Sequence, residues 1–234
     1  MRDTNKEYSL GAFILMYLFI VILFPAIIVL LSGNLAWTEG WILSIWFDVM
    51  MLSNMIYMYK KNPTLISERL NVRGSQNQKK WDKYLLTSLF ILAAIWFVAM
   101  PLDAQILGLS PRFPLFIKII GCLLLFPSLY LLIGATIANP YLSTVVRIQS
   151  DRQQKVVSTG VYSIVRHPQY LGIIMLIIGG PLLLESIMAI IIGICIATIF
   201  VIRIKGEEKM LIEELDGYIE YMQKVKCRLL PCIW

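Results

Sequence analysis

The chain of 234 residues is 58% hydrophobic and 15% charged, with a net charge of +6 and a mean hydropathy of +0.73. An ordinary soluble domain is nearer half apolar and a quarter charged, so a soluble globular fold is excluded. The positive charge reads as membrane topology before nucleic-acid affinity, since no basic stripe with interleaved aromatics occurs. One histidine and four cysteines without a Cys/His cluster leave no framework for a metal site or a redox CxxC pair.

After a polar start over residues 1–8, Ser9 to Leu31 is a continuous apolar run interrupted by Pro25. It is too long for a signal-peptide core and predicts a retained membrane helix over 9–31. A turn at Ser32-Gly33-Asn34 leads to a second span over 37–59, bracketed by the interfacial aromatics Trp37, Trp41, Tyr57 and Tyr59. This span carries Asp48 and Asn54. An acid inside a span is costly, so Asp48 is expected to face the bundle interior and bond a neighbouring helix. Lys60 to Lys83 is the most polar loop. Within it, Asn62-Pro63 signals a short surface helix over 63–70 by its cap and first-position proline.

The third span covers 84–107, with Asp103 and Gln105 near its far end, and the fourth covers 115–138, with Lys118 placed to snorkel. Beyond a second polar loop, 168–184 and 186–204 form a helical hairpin joined near Gly179-Gly180-Pro181. Its first arm of about 17 residues is short for a span. From Gly206 the tail is amphipathic, with Leu211, Leu215, Tyr218 and Met222 sharing one face. The predicted fold is all-α: a polytopic integral membrane helical bundle of about six transmembrane helices plus a C-terminal amphipathic helix, one membrane domain over 1–234.

Six spans put both termini on one side. That side then holds 19 of the 21 Lys and Arg residues, and only Arg112 and Lys118 fall opposite. By the positive-inside rule both termini, both long loops, and the segments 139–167 and 203–234 are cytoplasmic. In a prokaryote the membrane would be the inner or plasma membrane.

Two polar elements meet on that face. The first is Arg166-His167-Pro168-Gln169-Tyr170, holding the only histidine. Pro168 fits the first position of a helix and pushes His167 towards an extended conformation. The ring then sits at a helix mouth whose free N–H groups suit an anionic ligand. The second is Arg203 to Glu208, where Arg203 and Glu207 lie four apart and point the same way from the last helix. The plain alternative for both is a set of interfacial anchors. Together they suit a ligand bearing both charge signs and an aromatic part. No GxxxxGK[ST] loop or GxGxxG fingerprint is present.

The run GVYSIVRHPQYLG (160–172), followed by RIKGEEKML (203–211), the tyrosines of GYIEY (217–221), and upstream Asn62-Pro63 with Glu68-Arg69-Leu70, resembles the isoprenylcysteine carboxyl methyltransferases of bacterial and archaeal type. The likeness covers about residues 60–231. It implies a membrane enzyme that uses S-adenosylmethionine without the soluble Rossmann-type fold and methylates a lipophilic acceptor reaching it from the bilayer. That acceptor would be the carboxylate of a prenylated cysteine or a similar group. Carried over, Gln154, Lys155, Val156 and Val157 would line the cofactor, and Tyr162, His167, Pro168, Gln169 and Tyr170 would hold it more directly. Glu207 would contact the cofactor and act with Arg203 in catalysis, Arg203 orienting the acceptor. The other readings are a thiol or phospholipid-amine methyltransferase of the same fold, a sterol-type reductase using NADPH, and a non-enzymatic membrane protein.

Overall fold

The computed structural model describes residues 10–63, 65–66 and 78–230. Among them are seven α-helices and no strand: α1 (Leu10–Ser32), α2 (Thr38–Lys61), α3 (Lys80–Pro101), α4 (Leu115–Ala138), α5 (Pro168–Leu184), α6 (Ile187–Glu214) and α7 (Tyr218–Lys224). Five of these, α1 to α4 and α6, are long and apolar enough to cross a membrane, and α5 is a shorter apolar helix of 17 residues. The chain is a polytopic helical membrane protein. Of the expected surface helix over 63–70, only Leu65–Ile66 is described as helical; residues 64 and 67–70 lie outside the described residues.

α3 starts at Lys80 rather than 84, because Asp82 sits in its first turn, where an acid complements the helix dipole. It ends in a π-helical turn, Leu102–Leu107, closed by Gly108 at φ 58°. α6 runs past Ile204 to Glu214. Met210 and Leu211 pack there against Val146, Tyr218, Tyr221 and Val225, so tertiary contact carries the helix beyond the apolar stretch. Gly217, at φ 82°, then turns the chain into α7.

The hairpin joint falls at Glu185-Ser186, not at Gly179-Gly180-Pro181. Glu185 takes a left-handed conformation, and the Ser186 hydroxyl accepts from the Ala189 N–H to cap α6. The two glycines lie inside α5 for packing. A Cβ on Gly121 would come within 2.6 Å of the Leu183 backbone nitrogen, and one on Gly179 within 2.9 Å of the Gly121 carbonyl. Close backbone approach at small residues is how membrane helices associate. The α4–α5 contact is the most extensive of the bundle, and the Ser128 hydroxyl donates across it to the Gly172 carbonyl at 2.7 Å.

Asp103 is fully buried and ties one end of the bundle together. It accepts from the Ser110 hydroxyl and N–H, the Ser186 hydroxyl and the Met188 N–H. Beside it Lys118 bridges Glu39 and Glu185, at 2.8 and 3.0 Å, and Arg112 pairs with Glu185. Lys118 therefore joins an ion network. The expected bond from Asp48 to another helix is not formed: its buried Oδ1 has no hydrogen-bond partner among the described residues, and Asn54 Nδ2 donates to Met50 in its own helix.

Gly121→Ala should lower the unfolding free energy in detergent by about 1–3 kcal/mol through overpacking. Gly11→Ala, where a new Cβ meets nothing within 4 Å, should leave thermal unfolding unchanged. Equal melting of the two variants would contradict this account of the α4–α5 contact.

Candidate functional site

At the other end of the bundle, the segment 139–167, the first turn of α5, the outer part of α6 and α7 enclose a cavity of about 840 Å³, its open mouth included. Its wall over 141–154 is shaped by Gln149. The side chain of Gln149 donates to the Tyr141 carbonyl and accepts from Arg152, and its N–H donates to the Gln154 side-chain oxygen. The buried phenol of Tyr162 accepts from Asn139, and its carbonyl accepts from the Tyr221 hydroxyl at 2.7 Å.

Gln154, Lys155, Val156 and Val157 line this cavity, as do Tyr162, His167, Gln169, Tyr170 and Glu207. Two of the residues singled out from the sequence do not. Pro168 is buried as the first residue of α5. Arg203 is 5% exposed and packs over the Tyr170 ring, its guanidinium carbon 5.6 Å from the centroid. Tyr170 connects the two halves of the constellation, because its hydroxyl donates to Glu207 at 2.6 Å. Arg203 and Glu207 thus meet through an aromatic ring between them. His167 lies at φ −123°, ψ 60°, short of a fully extended ψ, because its carbonyl already accepts from the Leu171 N–H. Its ring stacks on Tyr170 at 5.6 Å.

The arginines are engaged by the protein. Arg203 donates from Nε to Asp82 at 2.7 Å and from Nη2 to the Thr144 carbonyl at 2.6 Å. Arg166 donates from Nε to Glu208 at 2.6 Å and from Nη1 to the Val225 and Lys226 carbonyls. Glu208 also accepts from Arg228 at 2.6 Å and lies 3.4 Å from His167 Nε2. Backbone bonds from Arg166 to Cys227 and from His167 to Arg228 lay the C-terminal strap along the mouth of α5. Of the adjacent glutamates, Glu207 faces the cavity and Glu208 holds the strap.

Sequence reasoning missed Asp82, Glu208 and Arg228 as parts of this structure. Asp82 appears in the sequence only as an acid at the end of a polar loop, with nothing to connect it to a residue 121 positions away. The adjacent Glu207-Glu208 was the one available signal for the second glutamate. Among the described residues no group of three or more His, Cys, Asp or Glu is placed to hold a metal.

Fold and site together define a class: a multi-pass helical membrane protein with an aromatic-walled polar cavity at one end of its bundle. Residues 119–213 match the isoprenylcysteine carboxyl methyltransferase (ICMT) family. It is 39% identical over 110 residues to the protein-S-isoprenylcysteine O-methyltransferase of Saccharomyces cerevisiae, covering 46% of each chain. Over 84 residues it is 34% identical to protein-S-isoprenylcysteine O-methyltransferase B of Arabidopsis thaliana, covering 35% of this chain and 42% of that one. The chain spans less than half the length of both curated relatives.

Glu208→Gln would leave Arg166 buried opposite a neutral group. Breaking a buried pair in this way costs about 3–5 kcal/mol. The exposed Glu213→Gln should change stability by less than about 0.5 kcal/mol, and thermal unfolding of the two variants separates these cases.

Burial pushes the Tyr221 phenol up to about 12, Arg166 opposing the rise and Glu208 adding to it. Burial and then the charges of Glu208 and Glu207 raise Tyr218 as well. The folded chain therefore favours the neutral phenols. The contribution of Tyr221 is fully present below the ordinary value of 10.0 and is lost as pH rises through about 12. Tyr221→Phe should flatten the fall in melting temperature over that window. Superimposable pH profiles for variant and parent would refute the assignment.

Proposed function

We propose that the chain is a membrane methyltransferase that uses S-adenosylmethionine to methylate the carboxylate of a lipophilic acceptor, a prenylated cysteine or a similar group. The observation that carries this reading is the Glu207–Tyr170–Arg203 arrangement. A carboxylate faces the cavity, and one aromatic ring connects it to a buried arginine. The match over 119–213 to a methyltransferase family supports the same reaction.

The cavity residues fit such a cofactor. Glu207 and the faces of Tyr170 and His167 suit a positively charged ligand. Gln154, Lys155, Val156, Val157, Tyr162 and Gln169 supply polar and apolar wall, and Pro168 starts the helix that carries the ring-bearing residues. When bound, S-adenosylmethionine would supply a methyl group on a sulfonium: the acceptor oxygen forms the new O–CH3 bond as the S–CH3 pair returns to sulfur. No proton moves, because a carboxylate is already ionised near neutral pH. The protein's part is alignment and exclusion of water. Arg203 Nη1 has no partner among the described residues, so it remains a donor for an acceptor oxygen while Asp82 and Thr144 hold the other edge of the guanidinium.

A carboxylate acceptor needs no base, whereas a thiol or amine would have to lose a proton, for which Glu207 and His167 are the groups on the cavity. Glu208 is taken up by two arginines. Arg166, which lines the cavity, gives Nε and Nη1 to Glu208 and two carbonyls, so only part of its guanidinium is left for the phosphate that a nicotinamide-dependent reductase would need to bind. Asp103, a candidate pathway acid for a transporter, is tied to Ser110 and Ser186. The concentration of Lys and Arg on the site-bearing end supports a cytoplasmic cavity and cytoplasmic termini, with the acceptor arriving from the bilayer.

Calorimetric titration of the detergent-purified protein with S-adenosylhomocysteine should give saturable binding that Glu207→Ala abolishes. Arg203→Ala should keep that binding and lose about 100-fold or more in methyl transfer to N-acetyl-S-farnesylcysteine, the scale expected for removing one preorganised donor. A folded parent protein that does not bind would sink the reading.

A further inference from the structure

We infer that Asp82 is a positioning residue for this reaction: it holds the Arg203 guanidinium in its acceptor-binding pose and locks that pose to the cofactor wall. The inference rests on the methyltransferase reading and adds to it a residue outside the matched segment 119–213.

The Asp82 carboxylate is completely buried and saturated by three donors from three parts of the chain. Oδ1 accepts from Arg203 Nε at 2.7 Å. Oδ2 accepts from the Val146 N–H and from Gln78 Nε2, both at 2.9 Å. Val146 lines the cavity, and Thr144, two residues earlier, supplies the carbonyl that takes Arg203 Nη2. The same loop therefore grips Asp82 by its backbone N–H and Arg203 by its backbone C=O.

The first turn of α3 is pressed into this corner by a second contact. Trp81 packs on Gly206, where a Cβ would come within 2.6 Å of the ring. Arg203 and Gly206 are one turn apart on α6, and Trp81 and Asp82 engage them side by side. No bulkier residue at 206 would let Asp82 reach Arg203 without a shift of α3.

Stability alone does not account for this pair. A buried ion pair is often no more stabilising than apolar residues of the same volume, although breaking one is costly. The pair does, however, fix an orientation. A guanidinium has five N–H donors in a rigid fork, and Asp82 and Thr144 take Nε and Nη2 along one side of it. With that side clamped, the fork cannot rotate, and Nη1 stays fixed relative to Tyr170 and hence to Glu207. An acceptor carboxylate meets a donor that is already aligned, which is where enzymes gain most from positioning.

The test is a double-mutant cycle with Asp82→Asn and Arg203→Gln, read by S-adenosylhomocysteine affinity and by kcat for methyl transfer to N-acetyl-S-farnesylcysteine. Asp82→Asn should bind S-adenosylhomocysteine within about 3-fold of the parent and lose about 100-fold in kcat. The double variant should turn over no more slowly than Arg203→Gln alone, since a residue acting only through Arg203 has nothing left to lose. Three outcomes overturn the role: parental kcat in Asp82→Asn, loss of S-adenosylhomocysteine binding together with turnover, or a double variant well below Arg203→Gln. If Asp82→Asn does not fold, because it leaves Arg203 buried and unpaired, the double variant carries neither charge and its kcat relative to Arg203→Gln decides alone. A parent protein that binds no S-adenosylhomocysteine removes the methyltransferase reading and this role with it. A parent that binds and turns over beside an unaffected Asp82→Asn removes the role only.

Discussion

A single buried carboxylate, Glu208, is shared by three chain segments around the cavity. It projects from α6, takes Arg166 from the mouth of α5 and Arg228 from the C-terminal strap, and lies beside His167. Two arginines and an imidazole around one carboxylate form a high-stakes arrangement, since each charge is tolerable only while the others are in place. Arg166 in turn donates to two strap carbonyls, and the strap's own carbonyls accept from the backbone of Arg166 and His167. The far wall of the cavity therefore exists because this knot is tied. The adjacent Glu207 is free for other work because Glu208 does the holding.

The two ends of the bundle use charge in different ways. At one end Asp103, Glu185, Lys118 and Arg112 stitch helix termini together. At the other, Asp82 and Glu208 are equally buried, and each holds a single buried arginine rather than joining helix ends. Between the ends the bundle is largely apolar, and its tightest contact combines close glycine packing with the Ser128–Gly172 hydrogen bond. Asp48 and Asn54 are the exceptions, with buried oxygens that find no partner among the described residues.

The helices were legible because an apolar run long enough to span a bilayer is hard to place anywhere but in a membrane, and the polar loops between them are sharply bounded. The hairpin joint was not. Gly-Gly-Pro is a strong turn signal in soluble chains, and only the tertiary contact shows that Gly179 is small because the Gly121 backbone lies against it. The end of α6 was hidden for a related reason: Lys205 to Glu214 is polar enough to read as a tail, and the packing of Met210 and Leu211 is what extends the helix. The cavity residues around 162–170 stood out through one histidine and a helix-starting proline. Asp82 had no such flag. Glu207 and Glu208 could not be told apart, because neighbours on a helix differ only by about 100° of rotation, and which one faces the cavity depends on where the rest of the chain sits.

The shortness of α5 has a consequence for how the site relates to the bilayer. At 17 residues it is about 25 Å long, against a hydrocarbon layer of about 30 Å, and it is closely packed along a longer neighbour, so it is not free to adjust alone. None of its residues is exposed, so it is shielded by its neighbours and is not obliged to match the thickness of the bilayer. The site sits at the N-terminal end of this helix, so the floor of the cavity is set by a helix whose length answers to the packing of the bundle rather than to the lipid.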